Sequence, residues 1–529
     1  MIEMVSMWIL SILLVVPLLG SVFLFALPKK LEAYATWLSL AISTLTFIFS
    51  LHLIAYFDPT TPGIQFGQVL AWLPKQMGIN YVVGVDGLSL ILVLLTTALC
   101  PLIILSSVSS ISKNRKEFLA LFLMLETAMI GALVSLDLVL FYVFWEAMLI
   151  PMYFIIGFWG GKDRIYATTK FFIYTVIGSI LMLVAFVYLY LAHFQESGVY
   201  STNLLELYRT ASGLDLETQI WLFAACTLAF AIKVPLFPFH TWLPDAHVQA
   251  PTPGSVILAG VLLKMGTYGL MRFSIPLFPK AAEAAAPTMM ILAVVGIIYG
   301  ALIAWRQTDI KKLVAYSSVS HLGFVVLGMF AFNEQGFTGS LYQMVNHGIS
   351  TGALFLLIGC VYERKHTREM SDYGGLAKAM PRYSVFFLMA TMGSVALPST
   401  GGFLGEWMIL LGAFRSQPYL ATLAGLGVIF GAVYMLWMVL KVIWGPLQEK
   451  TKEHLQDVGL RESFILGTLC TLIFVFGFAA TPLLEHTQPT LVEILKTVQS
   501  KRAYSVPFFV GHKPSKDSPS TGYLPSEVK

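Results

Sequence analysis

The sequence predicts an all-α polytopic membrane protein of about 14 transmembrane helices, built as two inverted five-helix repeats that each contain a broken helix. Three observations lead there. Of 529 residues, 57% are hydrophobic and 12% charged, with mean hydropathy +0.77, whereas soluble domains carry roughly 25% charge. The apolar residues fall in runs near the ~20 residues that span a bilayer as helix. Two runs are interrupted at corresponding places by Pro or Gly, each beside an ionisable residue.

In chain order the runs cover 4–27, 33–55, 84–108, 117–136, 138–158, 166–193, 218–238, 253–273, 287–305, 311–331, 339–362, 383–414, 420–444 and 463–483. The first lacks a basic leader and a small-residue cleavage site, so it reads as a retained span. Residues 56–83, with Pro59, Pro62, Gly63 and Pro74, read as a long loop, and 194–217 as an acidic one. After Pro482 the chain turns amphipathic. From Lys513 it is polar and rich in Pro and Ser, which reads as a tail poorly ordered or draped on a partner.

Basic residues set an orientation. Lys29, Lys30, Lys113, Arg115, Lys116, Lys162, Arg164, Arg306, Lys311, Lys312, Arg364, Lys365, Arg368, Lys378, Arg382, Lys450, Lys452 and Arg461 fall in alternate loops. The intervening loops hold little beyond Lys75, Arg209, Lys280 and Arg415. The positive-inside rule puts the first set in the cytoplasm and both termini outside. The net charge of +4 is spread over loops and gives no nucleic-acid signal.

The first interruption lies at Lys233, where Pro235 and Pro238 remove backbone donors. The second runs from Val395 to Glu406, with Pro398, Gly401, Gly402 and Gly405. Five helices per unit is odd, so a second copy enters the membrane from the opposite side. The expected organisation is spans 1–3 in 1–116, a first repeat in 117–273, a second in 287–446, and a last span with a polar tail in 447–529.

Few ionisable residues lie near the centres of the runs: Glu126, Glu146, Lys233, Lys264, His321, His347 and Glu406. Buried ionisable groups in a membrane are costly and mark ion pathways by default. Each of these types can gain and lose a proton, which arginine cannot, and no arginine sits at a span centre. The bland alternatives are packing histidines hydrogen-bonded across helices, a Glu126 helix clasp and a structural Glu146–Lys233 pair. As a set the residues favour proton translocation, with Glu126 in a second tier. His240, Asp245 and His247 flank the first break without a further ligand, and read as a hydrogen-bonded clamp in preference to a metal site. Cys100, Cys226, Cys360 and Cys470 sit in separate runs, which argues against a disulfide framework, zinc or an iron–sulfur cluster. There is no Gly-rich dinucleotide motif, Walker loop, CxxC or haem motif. No cofactor is expected in this chain, so its energy source acts through a partner.

The stretches KVPLFPFHTWLPDAHVQAPTPGSVILAGVLLKMGTYGL, DIKKLVAYSSVSHLGF and MVNHGISTGALFLL resemble the antiporter-like membrane subunits of respiratory complex I, over about residues 80 to 450. The resemblance implies the 14-helix fold and a proton-translocating role in NADH-quinone oxidoreductase. It implies NADH, FMN, iron–sulfur clusters and quinone in partner subunits, and flanking antiporter-like subunits in a bacterial inner membrane. It pairs Lys233 with Glu146, makes Lys264 the central lysine and His321 then His347 the connectors, and makes Glu406 the terminal acid. Sister subunits carry lysine at that last position. The alternative is a subunit of a multisubunit Na⁺/H⁺ antiporter or a membrane-bound hydrogenase. A passive spacer fits poorly, because apolar residues would span at lower cost.

Overall fold

A computed structural model describes residues 2–446 and 455–511. Lys450, Lys452 and the Pro- and Ser-rich stretch from Lys513 lie outside the described residues. The helices, in order, are α1 (Ile2–Ala26), α2 (Ala35–Tyr56), α3 (Gly87–Ser110), α4 (Arg115–Val134), α5 (Leu138–Ala147), α6 (Leu149–Trp159) and α7 (Arg164–Ser197). Next come α8 (Leu204–Gly213), α9 (Leu216–Lys233), α10 (Trp242–Gln249), α11 (Thr252–Leu277), α12 (Pro279–Trp305) and α13 (Ile310–Phe330). The last are α14 (Glu334–Lys365), α15 (Pro381–Ser394), α16 (Gly401–Ser416), α17 (Pro418–Val442), α18 (Leu460–Phe478) and α19 (Thr481–Ser500).

Among the described residues 13 helices are long and apolar enough to cross a membrane, counting α5 and α6 as one. The expected run 383–414 accounts for the difference. It divides into α15 and α16, each too short to be counted alone. The run at 218–238 likewise ends at Lys233, and the chain resumes helix at Trp242. Between α5 and α6 the helix is interrupted at Met148. Pro151, one turn on, offers no N–H to the Ala147 carbonyl.

Helices α4, α11, α13 and α14 are buried almost throughout, whereas α2, α7 and α17 turn apolar side chains such as Trp37, Ile48, Ile177, Val184 and Ile429 outward. Apolar residues on an outer face are what a bilayer solvates. Helix α11 is not uniform. Leu258–Leu262 and Leu270–Ser274 are π-helical, and the α-helical turns between them carry Lys264. Such widened turns are frequent at functional sites.

Two expectations change. The loop 56–83 contains an antiparallel pair, β1 (Ile64–Ala71) with β2 (Asn80–Val85), and β3 (Phe508–Val510) adds in parallel to β1. The acidic loop 194–217 contains α8. The stretch after Pro482, expected to be amphipathic, forms α19. Leu491, Ile494, Leu495 and Val498 share one helical face of α19 and are buried against this same chain, as is Tyr504. The 3–4 residue spacing of those side chains is the amphipathic stripe that docks a helix.

One buried ion pair joins distant elements. Asp86 caps α3 by accepting from the Leu88 and Ser89 amides, and its Oδ1 lies 2.5 Å from Arg272 Nη2 at the far end of α11. Tyr208 donates to the Arg272 carbonyl at 2.8 Å, and Thr490 of α19 accepts from the Gly87 amide at 3.1 Å. The C-terminal helix is thereby tied to the start of α3, beside the end of α11.

Candidate functional site: a buried polar axis between two helix breaks

Both breaks arise where the chain cannot continue its α-helical bonds, and they share one backbone pattern. In the first, the Val234 amide donates to Phe230, Leu236 to Ala231 and Phe239 to Leu236. In the second, Val395 donates to Thr391, Leu397 to Met392 and Thr400 to Leu397. Each residue of the second set stands 161 positions after its counterpart (395 against 234). The first break reaches this pattern with Pro235 and Pro238. The second has Ala396 and Ser399 there, at φ 59° and 81°, a left-handed backbone that costs non-glycine residues about 1–3 kcal/mol each and clusters at functional sites.

Beyond the second break, Gly401 and Gly405 let α16 lie against α14. A β-carbon at Gly401 would stand 1.8 Å from Asn346 Oδ1, and one at Gly405 would stand 3.0 Å from Gln343 Cα. This close approach sets Glu406, 4% exposed, into the interior. Its Oε1 lies 2.8 Å from His321 Nδ1 and accepts from Gln343 Nε2 at 3.0 Å. Ser394, at the end of α15, stands 3.4 Å from the other ring nitrogen of His321.

The ring of His321 on α13 is 5.8 Å from that of His347 on α14. His347 Nδ1 lies 2.7 Å from Lys264 Nζ, which also donates to the Ala259 carbonyl in the π-helical turn before it. The axis therefore runs Lys264, His347, His321, Glu406. This corrects the order expected from the chain, in which His321 precedes His347. The reason is packing: α14 lies against α11, so its histidine meets the lysine first.

Lys233 ends α9, 1% exposed. Its Nζ has no hydrogen-bond partner among the described residues and lies 5.1 Å from the Trp145 ring centroid and 5.8 Å from that of Phe171. Glu146 Oε1 is also buried without a partner. The expected Glu146–Lys233 ion pair is thus open in this structure. The ammonium instead sits against the indole of the residue preceding Glu146, a contact that favours a desolvated cation. Glu146 itself is only half-buried, near the outward-facing Val143 and Ile150.

Glu126 is not on this axis. It is fully buried in α4, accepts from Ser43 of α2 at 3.0 Å, and leaves Oε2 without a partner. The expected hydrogen-bonded clamp of His240, Asp245 and His247 does not form. Neither histidine bonds a side chain among the described residues, His247 stacks on Phe355 at 4.6 Å, and Asp245 pairs with Lys170 at 2.7 Å. Stacking within an apolar layer holds His247 where a hydrogen bond was anticipated. At the end of α10, Lys311 donates to the Ala250 carbonyl at 2.6 Å and Arg368 to that of Val248, so two cations cover the negative end of that helix.

Sequence reasoning missed Gln343, Ser394 and Arg272. Gln343 lies four residues before His347, on the same face of α14, a spacing that could have revealed it. Arg272 stands at the edge of its apolar run and gives no such signal.

Residues 135–431 match the family described as NADH:quinone oxidoreductase/Mrp antiporter, TM. The chain is 44% identical over 503 residues to NADH-quinone oxidoreductase subunit M of Rhodobacter capsulatus, covering 92% of this chain and 96% of that one. It is 45% identical over 457 residues to NADH-ubiquinone oxidoreductase chain 4 of Arabidopsis thaliana, covering 86% and 90%. Among solved structures, a chain of respiratory complex I from Thermus thermophilus superposes with TM-score 0.82 at 31% identity, covering 94% of this chain and 100% of that one. A chain of the Mrp complex from Dietzia sp. also gives TM-score 0.82, at 20% identity over 94% and 99%, a likeness of fold alone.

Proposed function

Because this chain belongs to the NADH:quinone oxidoreductase/Mrp antiporter membrane family, we propose that its buried axis is the path by which it moves protons across the membrane. The protein is a multi-pass membrane subunit of respiratory complex I, and its role is proton translocation coupled to electron transfer in partner subunits. NADH, FMN, iron–sulfur clusters and quinone belong to those partners, and this chain supplies no redox centre. The observation that carries the path is the row of buried titratable groups from Lys264 to Glu406. Lys264 and His347 are 2.7 Å apart, the two imidazoles 5.8 Å, and His321 and Glu406 2.8 Å.

A proton on Lys264 passes to His347 Nδ1. It crosses between the rings through a bridging water, an ordinary route over such a gap, and reaches Glu406 from His321. Glu146 and Lys233 act at the other end. With the pair closed, the carboxylate holds the proton on the lysine by Coulomb attraction. With the pair open, a buried ammonium stands without a counter-ion, and its desolvation favours handing the proton on. The half-buried Glu146 on an outward face supports a neighbouring antiporter-like subunit there, since a carboxylate facing lipid is costly.

Two inverted repeats, 117–273 and 287–446, are supported by the shared bond pattern at the breaks. The bacterial relatives support a bacterial inner membrane, and the alternation of basic loops supports both termini outside. Relatives named as subunit M or chain 4 favour complex I over a multisubunit Na⁺/H⁺ antiporter, and co-purification with flavin and iron–sulfur subunits separates the two. The path is tested with Glu406→Gln, which keeps shape but cannot cycle a proton. The assembled complex in vesicles is expected to show a lower proton-to-electron ratio, with Glu406→Asp retaining part. An unchanged ratio in the Gln variant overturns the route through Glu406.

A further inference from the structure

The constant offset between the two breaks carries more than a likeness of backbone. It aligns Val234 with Val395, Leu236 with Leu397 and Leu243 with Leu404. It aligns Lys233 not with Glu406 but with Ser394. The residue in the first half that stands where Glu406 stands in the second is Asp245. Both are carboxylates in the second half of a broken helix. Each is bonded to the long helix that occupies third place in its repeat: Glu406 to Gln343 of α14, and Asp245 to Lys170 of α7 at 2.7 Å.

The two sites differ in access. The Glu406 side chain is 6% exposed, whereas that of Asp245 is 33% and that of Lys170 21% exposed. Between Asp245 and Lys233 along the chain lies His240. It is buried, bonds no side chain among the described residues, and packs edge-on to Tyr299 at 5.1 Å. Beside it, Thr241 and Tyr174 bridge the break to α7 at 2.8 Å. A buried imidazole without a side-chain partner is costly unless it exchanges hydrogen bonds with a mobile partner.

We propose that the Lys170–Asp245 ion pair is a proton gate at the first break, the counterpart of Glu406 at the second, opening on the other side of the membrane. When the pair parts, the Asp245 carboxylate takes one proton from water at its exposed edge and becomes neutral. It then gives that proton to a ring nitrogen of His240 and returns to carboxylate, while Lys170 keeps its charge throughout. One proton moves inward towards Lys233 and no other bond changes. This rests on the reading of the axis as a proton path.

The experiment compares Asp245→Asn, Asp245→Glu and the exchanged pair Lys170→Asp/Asp245→Lys with Glu406→Gln. The whole complex is used in vesicles, with its amount and its proton-to-electron ratio measured separately. Asp245→Asn is expected to assemble and to lower the ratio as far as Glu406→Gln does, with Asp245→Glu restoring part. The exchanged pair keeps the ionic clasp but moves the carboxyl, so it is expected to assemble with a lowered ratio. A wild-type ratio in Asp245→Asn or in the exchanged pair, with Glu406→Gln lowered, overturns the gate and leaves the axis standing. So does a loss of complex with an unchanged ratio in what remains. Wild-type ratios in Asp245→Asn and Glu406→Gln together overturn the axis itself.

Discussion

Lys264 Nζ lies 2.7 Å from His347 Nδ1, on a turn of α11 bounded on both sides by π-helix. An amine that touches an imidazole acceptor can pass a proton directly. A guanidinium cannot, because arginine does not deprotonate in proteins. Lys264→Arg is therefore expected to assemble, keep its charge and lower coupled quinone reductase activity about tenfold, an effect that needs only ~1.4 kcal/mol on the barrier. NADH oxidation by an artificial acceptor should persist. Wild-type pumping by Lys264→Arg would reduce the lysine to a fixed charge.

The open Glu146–Lys233 pair predicts a different signature. Because neither group hydrogen-bonds the other in this state, Glu146→Ala and Lys233→Ala should each leave the complex assembled while depressing quinone reductase activity. The double variant should lose no more than either single one if they act as a unit. Additive losses, measured in the same vesicles, would mean that the two residues work separately.

Gln343 donates to the same carboxylate oxygen that faces His321. Gln343→Leu removes a buried donor, worth about 0.5–1.5 kcal/mol, and is expected to lower turnover up to about tenfold. Ser394→Ala loses only a 3.4 Å contact and should change turnover less. Steady-state kinetics of both variants check the order, and a larger loss from Ser394→Ala would refute it.

The Asp86–Arg272 pair has a structural expectation. Removing one partner leaves an uncompensated buried charge, at a cost of about 3–5 kcal/mol, whereas replacing both by apolar groups costs less. Arg272→Met should lower the amount of assembled complex more than Asp86→Leu/Arg272→Met does, measured by native gel and thermal inactivation. Equal losses would show that the pair contributes through something other than its charges.

The membrane class, the approximate places of the runs, the two breaks and the titratable residues at span centres were legible in the sequence, because each is a local property. Hydropathy over about 20 residues makes a span, a proline or glycine cluster stops a helix, and a charge in an apolar run stands out without knowledge of its neighbours. The β-strands inside 56–83 and the docking of α19 were less legible, since both are completed by segments distant in the chain.

What only the tertiary structure decided was which of those residues meet. Lys264 and His347 are 83 residues apart in sequence, and His321 and Glu406 are 85. Chain order put His321 next to the lysine, and the packing of α14 against α11 reversed it. The same packing left Lys233 against Trp145 instead of Glu146, left Glu126 with Ser43 alone, and brought Arg272 to Asp86. Sequence names the groups that can hold a proton. The faces that helices present to one another, set by glycines such as Gly401 and Gly405 that permit close approach, decide between which of them a proton can pass.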